Sequence, residues 1–482
     1  MPTAFIPGGP AYGAGNASDP RAGELQFAGS VPLSATSFRV ASFRRIGRDR
    51  ESRTVRMTYF LPKLLACLVV ALGSVGVLFV LWGRRDEILW LRRLSILTLI
   101  LSAAASIIVY LVFPEFVRFS DVMNFYLPET EALLAGGLPY RDFPTSYSPL
   151  FHAILAVPVM LWHSPGVIVL VMIAAEAITV ALYLRVCRRV GRELVGWRTA
   201  WIFVSSPTIL YWVVLGGYNS ILIAMFSMMA LSACHYRRET IAGSCASMGL
   251  LGCKLLGVLS WPTVVLYRRE GALRRLVPMG IALCFLGVLF LAGVDVLQPI
   301  RREGGGWSDG NVWFVLATFV PRIFEAAPFE IASVLCFVVF YAAGTLRLIR
   351  STGAADSEQQ RWDRSMAHLA WAMAGLLLFS KKSMAMYPPM ALPFFAHACL
   401  VGRQDRTLVS LLPFLGLGAA ATLFPHQGWL RAWIHERPYL HGSTMAQIVL
   451  LAQFVKVGAF AYIAVASWRL LGKRSNGQER TR

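Results

Sequence analysis

Two groups of side chains in this chain could do chemistry. The first is a set of carboxylates, Asp121, Glu129, Glu131 and Asp142, in the polar stretch 114–164. Tyr126, Tyr140 and Tyr147 share that stretch. A carboxylate at the edge of an apolar region can take the proton of a hydroxyl nucleophile, and partial desolvation raises its pKa toward that of a useful general base. Asp121, in Ser120-Asp121-Val122-Met123-Asn124-Phe125-Tyr126, is the candidate base. Its alternative role is structural: Ser120 or Asp121 could cap an interfacial helix running from Val122 to Leu134. Asp142 follows Gly136-Gly137 in Leu138-Pro139-Tyr140-Arg141-Asp142, where Pro and Gly fix a turn. It is the candidate second acid, with a simple pairing to Arg141 as the alternative. Glu129 and Glu131 read as the solvent face of the interfacial helix.

The second group is cations in apolar surroundings. Lys254 lies in Gly249-Leu250-Leu251-Gly252-Cys253-Lys254-Leu255-Leu256-Gly257. An ionisable group within a membrane segment costs about 2.5–3.5 kcal/mol on insertion scales, so function is the default reading. The alternative is a lysine that snorkels to headgroups. Lys381 and Lys382 end a helix before Tyr387-Pro388, and Arg322 is a further cation of lower specificity. An anionic, phosphate-bearing ligand accounts for cations so placed. Glu176 is a lone acid within an apolar run, marking an ion path or a helix–helix pair.

The elements that must position these groups are membrane helices. The chain has 482 residues, of which 56% are hydrophobic and 15% charged, too little charge to cover a soluble surface. Apolar runs of roughly 17–25 residues split by Arg-rich turns predict an all-α, polytopic transmembrane bundle of about 11–13 spans. A net charge of +20 raises the question of nucleic acid. Most Lys and Arg sit in short loops between apolar runs, so they read as topological signals and contacts to membrane lipids, with no nucleic-acid partner. The eight cysteines form no C-x-x-C pair and read as free, packing thiols. No metal and no cofactor is expected.

Residues 1–56 read as a disordered basic tail, 57–470 as the membrane domain with 114–164 as its first large outer loop, and 471–482 as a basic cytoplasmic tail. The segments 241–252 and 255–267 are each too short to cross and read as half-helices meeting near Lys254. The segment 148–163 reads as an interfacial helix. With these spans the basic turns 84–93, 185–198, 237–238, 268–275, 347–364 and 403–406 all fall on one side, which the positive-inside rule makes cytoplasmic. The loops 114–164, 216–219, 298–326 and 425–445, with Lys254 and Lys381, then face outward. The basic N-terminal tail conflicts with that parity. Either it is translocated, or 64–82 does not cross, or translation starts at Met57.

Several short elements occur in a telling order: Asp121 with Tyr126, Gly137-Leu138-Pro139-Tyr140, Tyr147-Ser148-Pro149-Leu150, Gly217-Tyr218-Asn219-Ser220, Lys254 with Pro262, Gly310-Asn311 with Arg322, and Lys382 with Tyr387-Pro388. Together they resemble the GT-C superfamily of integral-membrane glycosyltransferases, above all the bacterial polyprenyl-phosphate-mannose-dependent mannosyltransferases and their GPI-mannosyltransferase relatives. The resemblance covers about Leu94 to Trp468. It implies a GT-C fold whose first outer loop carries interfacial helices. It implies transfer of mannose or another hexose from a polyprenyl-phosphate donor to a lipid-linked or cell-envelope glycan acceptor, at the outer face of the cell (inner) membrane.

In that reading Asp121 is the catalytic base. Lys254, Lys381, Lys382 and Arg322 bind the donor phosphate, and Tyr126, Tyr140, Tyr147, Asn219, Asn311 and Tyr387 contact substrate. The GPI-type relatives carry an acidic D-x-D where this chain has the single Asp121, so no metal is implied. A phosphate leaves with little protonation, so one base and nearby cations suffice, and direct displacement inverts the anomeric carbon. The rival reading is a transporter or flippase of lipid-linked saccharides. It predicts inverted repeats, which the sequence lacks.

Overall fold

The computed structural model describes residues 65–117, 120–304, 310–320, 328–353, 356–381, 386–402, 407–421, 440 and 444–472, within the unit Tyr59–Arg482. The expected tails at 1–56 and beyond 472 lie outside the described residues. Among the described residues the chain is all-helical, with one isolated bridge, Pro139 to Phe143.

We number the main helices α1 (Leu65–Leu81), α2 (Glu87–Val112), α3 (Phe151–Leu161), α4 (Pro165–Arg189), α5 (Glu193–Ser205), α6 (Ser220–His235), α7 (Glu239–Leu251), α8 (Ala272–Leu291), α9 (Pro328–Ser351), α10 (Glu358–Phe379), α11 (Pro388–Gly402), α12 (Thr407–Ala419) and α13 (Thr444–Leu471). Five of them, α2, α4, α8, α9 and α13, are long and apolar enough to cross a membrane. A sixth arises if α5 and Pro207–Leu215, bent by 43°, count as one span. Pro207 cannot continue the α5 hydrogen-bond ladder, which accounts for the bend. This is fewer full-length spans than the sequence predicts. The remaining expected spans appear as shorter apolar helices, among them α1, α6, α11 and the 255–266 segment.

The bundle is apolar on its outside. Ile96, Leu97, Ile100, Leu101 and Ile108 of α2 are exposed, as are Ile331, Val334, Leu335, Val338 and Val339 of α9. The inward face of α2 instead carries Ser95, Ser102 and Ser106, all buried. Ser106 donates to the Val214 carbonyl across the bundle at 2.8 Å. Small residues inside and large apolar ones outside suit helices that pack in hydrocarbon, where close approach rather than water exclusion drives association. These features are compatible with a multi-pass membrane protein. The central helix is α10, buried continuously from Trp362 to Leu378.

Half-helices form as expected around Lys254. α7 ends at Leu251, and the chain resumes as a 3-10 turn, Leu255–Ser260, running into Trp261–Leu266. The two limbs touch at glycine. A Cβ on Gly257 would lie 2.2 Å from the Gly249 carbonyl carbon, so only glycine allows this approach.

The basic turns do gather at one end. Arg198 grips Glu87 through two bonds of 2.6 and 2.9 Å and stacks over Trp82 at 3.4 Å. Arg192 pairs with Asp363 at 2.6 Å, and Arg268 pairs with Glu358. Arg364 pairs with Asp356 at 2.6 Å, while Arg185 and Arg189 stack on Tyr236. The turns 84–93, 185–198, 268–275 and 347–364 therefore meet through side-chain contacts, and Tyr236, beside the 237–238 turn, lies against 185–189.

Candidate active site

The opposite end is built on the turn after α2. The chain makes a short helix, Pro114–Val117, and then a π-helical turn, Val122–Tyr126, continued by Leu127–Leu134. Asp121 stands at the head of this turn. Its side chain makes no capping bond, whereas Ser120 Oγ accepts from the Met123 N–H at 3.4 Å. The capping role expected as the alternative for Asp121 thus falls to Ser120. Asp121 is half-buried, and its Oδ2 accepts from the Tyr147 hydroxyl at 3.3 Å.

Tyr126 is fully buried and packs edge-on against Tyr147 and Phe151, each with ring centroids 5.0 Å away. Its hydroxyl accepts from the Asn219 N–H at 3.2 Å. Asn219 heads α6, just beyond a second π-helical turn, Leu210–Leu215. Gly217 between them has φ +64°, and a Cβ there would lie 2.3 Å from Val122 Cγ2. Glycine therefore both permits the left-handed turn and lets the tip sit against the Asp121 segment.

Lys254 comes from the hairpin apex. It is buried, with its ammonium 5.5 Å from the Tyr147 ring centroid and 5.2 Å from that of Tyr387. Both distances fit cation–π attraction. The lysine is held inside the protein and does not extend to its surface. Backbone bonds stitch the apex in place: Ser148 donates to the Cys253 carbonyl at 3.2 Å and Leu150 to that of Leu251 at 2.9 Å. The Cys253 thiol donates to the Asn219 carbonyl at 3.1 Å. Beside this apex two buried polar atoms, Asn219 Nδ2 and Ser148 Oγ, make no hydrogen bond. Unsatisfied buried polar groups are costly and rare, and clustered ones are what a polar ligand would satisfy.

Burial raises the Asp121 carboxyl above the ordinary carboxylate range, and the nearby Glu129 adds to the rise. The Lys254 charge and the Tyr147 and Tyr126 hydroxyls oppose it. Burial also holds the Tyr126 and Tyr147 phenols well above their usual value, so both remain neutral donors. The result is a carboxylate that tolerates a proton, faced by hydroxyl donors and one cation.

Behind it lies a polar layer that sequence reasoning missed. His152, fully buried at the start of α3, has Nε2 2.8 Å from Glu129 Oε2 and 3.1 Å from Thr145 Oγ1. Its Nδ1 is 3.3 Å from Thr130 Oγ1. Glu129 therefore faces inward, correcting its expected place on the solvent face, while Glu131 does face outward and pairs with exposed His163 at 2.9 Å. The signal was present: Tyr126, Glu129 and Thr130 fall at i, i+3 and i+4, one face of a helix. Lys456, buried within α13 beside Gly310, is a second cation that was missed.

The other expected residues divide. Tyr140, at φ +67°, sends its hydroxyl to the Tyr147 carbonyl and so shapes the loop that carries Tyr147. Asp142 is not drawn into this cluster of contacts. It is clamped by Arg141, through bonds of 2.9 and 2.8 Å, and accepts from the Leu138 N–H at 2.8 Å. The Arg141 guanidinium, with that N–H, lowers its pKa to about 2. Asn311 Oδ1 caps the helix Val312–Phe319, accepting from Phe314 N–H at 2.8 Å. Lys381 pairs with Glu330. Lys382 and Arg322 lie outside the described residues. Among the described residues no three His, Cys, Asp or Glu side chains converge as a metal ion would require.

No known family model, curated protein or solved structure matches this chain. Its site has to be interpreted from its own geometry.

Proposed function

We propose that the protein is a membrane glycosyltransferase of GT-C type. It moves a hexose, such as mannose, from a polyprenyl-phosphate donor to a lipid-linked or cell-envelope acceptor. The observation that carries this reading is the meeting of Asp121, Tyr147 and Lys254 at the end of the bundle away from the arginine turns. Asp121 takes the proton of the acceptor hydroxyl as its oxygen attacks the anomeric carbon. The phosphate departs with the electron pair of the glycosidic bond. Lys254 stabilises its charge, Lys381, Lys382 and Arg322 are further donor-phosphate contacts, and direct displacement inverts the carbon. Tyr126, Tyr140, Tyr147, Asn219, Asn311 and Tyr387 line or shape the substrate region. The positive-inside rule assigns the arginine end to the cytoplasm and the Asp121 end to the outer face of the cell membrane.

Purified protein in nanodiscs, incubated with a panel of polyprenyl-phosphate hexoses and acceptor lipids, should yield an inverted glycoside detectable by mass spectrometry and NMR. Absence of transfer, together with movement of a lipid-linked saccharide across protein-containing vesicles, would favour the flippase reading instead. Orientation is checked separately, with the exposed native thiols Cys284 and Cys336 replaced by serine. Cysteine at Gly137 should then react with an impermeant reagent from outside, and cysteine at Gly353 should not.

A further inference from the structure

A chain of hydrogen bonds joins His152 to Asp121. His152 Nε2 lies 3.1 Å from Thr145 Oγ1, and that oxygen accepts from the Tyr147 N–H at 3.2 Å. The Tyr147 hydroxyl in turn reaches Asp121 Oδ2 at 3.3 Å. The same threonine donates its N–H to Gln298 Oε1 at 2.8 Å, tying in the segment after α8. The imidazole is wedged between rings: Phe151 at 5.0 Å, Tyr147 at 5.8 Å and Phe143 at 5.9 Å. Its orientation is therefore fixed by packing as well as by Thr130 and Thr145. Its remaining partner is Glu129, 2.8 Å away and with only 12% of its side chain exposed. A carboxylate so enclosed is costly unless a cation accompanies it.

We propose that His152 is a positioning residue of this site, holding Asp121 in place through Thr145 and Tyr147 and standing as the side-chain partner of the Glu129 carboxylate. The proposal deepens the glycosyl-transfer reading and depends on it only for the kinetic readout. Geometry and charge are separable. Thr145 transmits position and carries no charge, whereas Glu129 carries charge and lies outside the chain of bonds from His152 to Asp121. The titratable groups facing Asp121 are Lys254, Tyr126, Tyr147, Tyr110, Tyr218 and Glu129. Those facing Glu129 and His152 are Tyr140, Tyr147 and Asp121. His152 is the side chain set against Glu129, so removing the imidazole lets the Glu129 carboxylate act more strongly on Asp121, against the opposing charge of Lys254.

The test uses full-length protein in nanodiscs carrying Glu129→Gln, His152→Gln or Thr145→Val. The first readout needs no substrate: an infrared pH titration of the carboxyl band that Asp121→Asn abolishes. Glu129→Gln should move its midpoint down and His152→Gln should move it up, each by on the order of half to one pH unit, and Thr145→Val, which only loosens the Tyr147 bond, should move it up by less. The second readout is transfer from the polyprenyl-phosphate hexose used in the panel assay. Thr145→Val should lower kcat about tenfold with KM little changed, because a misplaced base costs chemistry more than binding. Midpoints that stay put or move in the same direction in both charge variants overturn the charge role. Wild-type kinetics in Thr145→Val overturn the positioning role. Opposite infrared shifts in a protein that transfers no sugar would sustain the His152–Glu129 inference and reject the glycosyltransferase reading. If His152→Gln does not fold, the Glu129→Gln midpoint and the Thr145→Val kinetics decide alone.

Discussion

The two ends of the bundle treat charge in opposite ways. At the arginine end five carboxylates face guanidiniums: Glu87 with Arg198, Asp363 with Arg192, Asp356 with Arg364, Glu358 with Arg268 and Glu239 with Arg275. At the other end Asp121 is held by a phenol, and its carboxyl lies above the usual range. Matched charges with short bonds fix helices against one another and have no capacity left for a substrate. A carboxylate held by hydroxyls, with no guanidinium clamped on it, can still accept a proton. The contrast separates charges that hold the bundle from charges that could do work within it.

The comparison breaks most sharply at Asp121. Asp121→Asn should lower transfer by about 10²–10⁴-fold, the usual worth of a general base, as read by turnover in nanodiscs. Stability should move the other way. Because the folded-state pKa of Asp121 is raised, the folded protein binds more protons than the unfolded chain as pH climbs from about 4 to that raised value. Ionising Asp121 therefore costs stability at neutral pH. Asparagine removes the cost, and the unfolding midpoint should stay or rise.

The opposite result is expected at the other end. Glu87→Gln strands Arg198 and should cost about 3–5 kcal/mol of stability, the range for breaking a buried pair, with near-normal turnover per folded molecule. Thermal unfolding and single-turnover assays on one sample check both halves.

Two smaller changes sharpen the contrast. Lys254→Met removes the cation proposed to stabilise the departing phosphate and should lower kcat by about 10²-fold, the low end for losing such stabilisation. Tyr147→Phe removes one bond to the ionised carboxylate and should lower kcat by about tenfold. That bond lowers the Asp121 pKa, so its loss raises the pKa further and moves the acid limb of the pH–rate profile to higher pH. The smallest effect belongs to Asp142→Asn. Its carboxylate is exposed and spent on Arg141 and Leu138, so turnover should hardly change. A large loss there would transfer the base role to Asp142.

Much of the architecture was legible because hydrocarbon imposes simple rules. Arginine-rich turns separated by apolar runs placed themselves on one end. The shortness of 241–252 and 255–267 marked the break near Lys254, as such limbs cannot span. Helix lengths were less legible, because Pro207 and the short α6 and α11 divide the fold into pieces that continuous hydropathy runs together. At the site, Asp121 stood out as a carboxylate just past an apolar run and Lys254 as a cation within one, while Tyr126, Tyr147, Asn219 and Tyr387 rested on the family resemblance. The inward face of Glu129 was readable from its spacing to Tyr126 and Thr130, but its pairing with His152 was not, because a histidine beside a helix start is ordinary in sequence. Only the packing of the loop onto α3 brings the two together.

The hairpin apex has a consequence for how the protein is made. Asp121, Tyr147, Asn219, Lys254 and Tyr387 stretch over more than half the chain, and the apex is their common clasp through Ser148, Leu150 and Asn219. During synthesis the N-terminal half reaches the bilayer with its carboxylate already in place and its ring of partners still unmade. Contacts so distant in sequence close slowly and late. Under the proposed function, transfer should therefore appear late in biogenesis, and chains truncated before Tyr387 should show none.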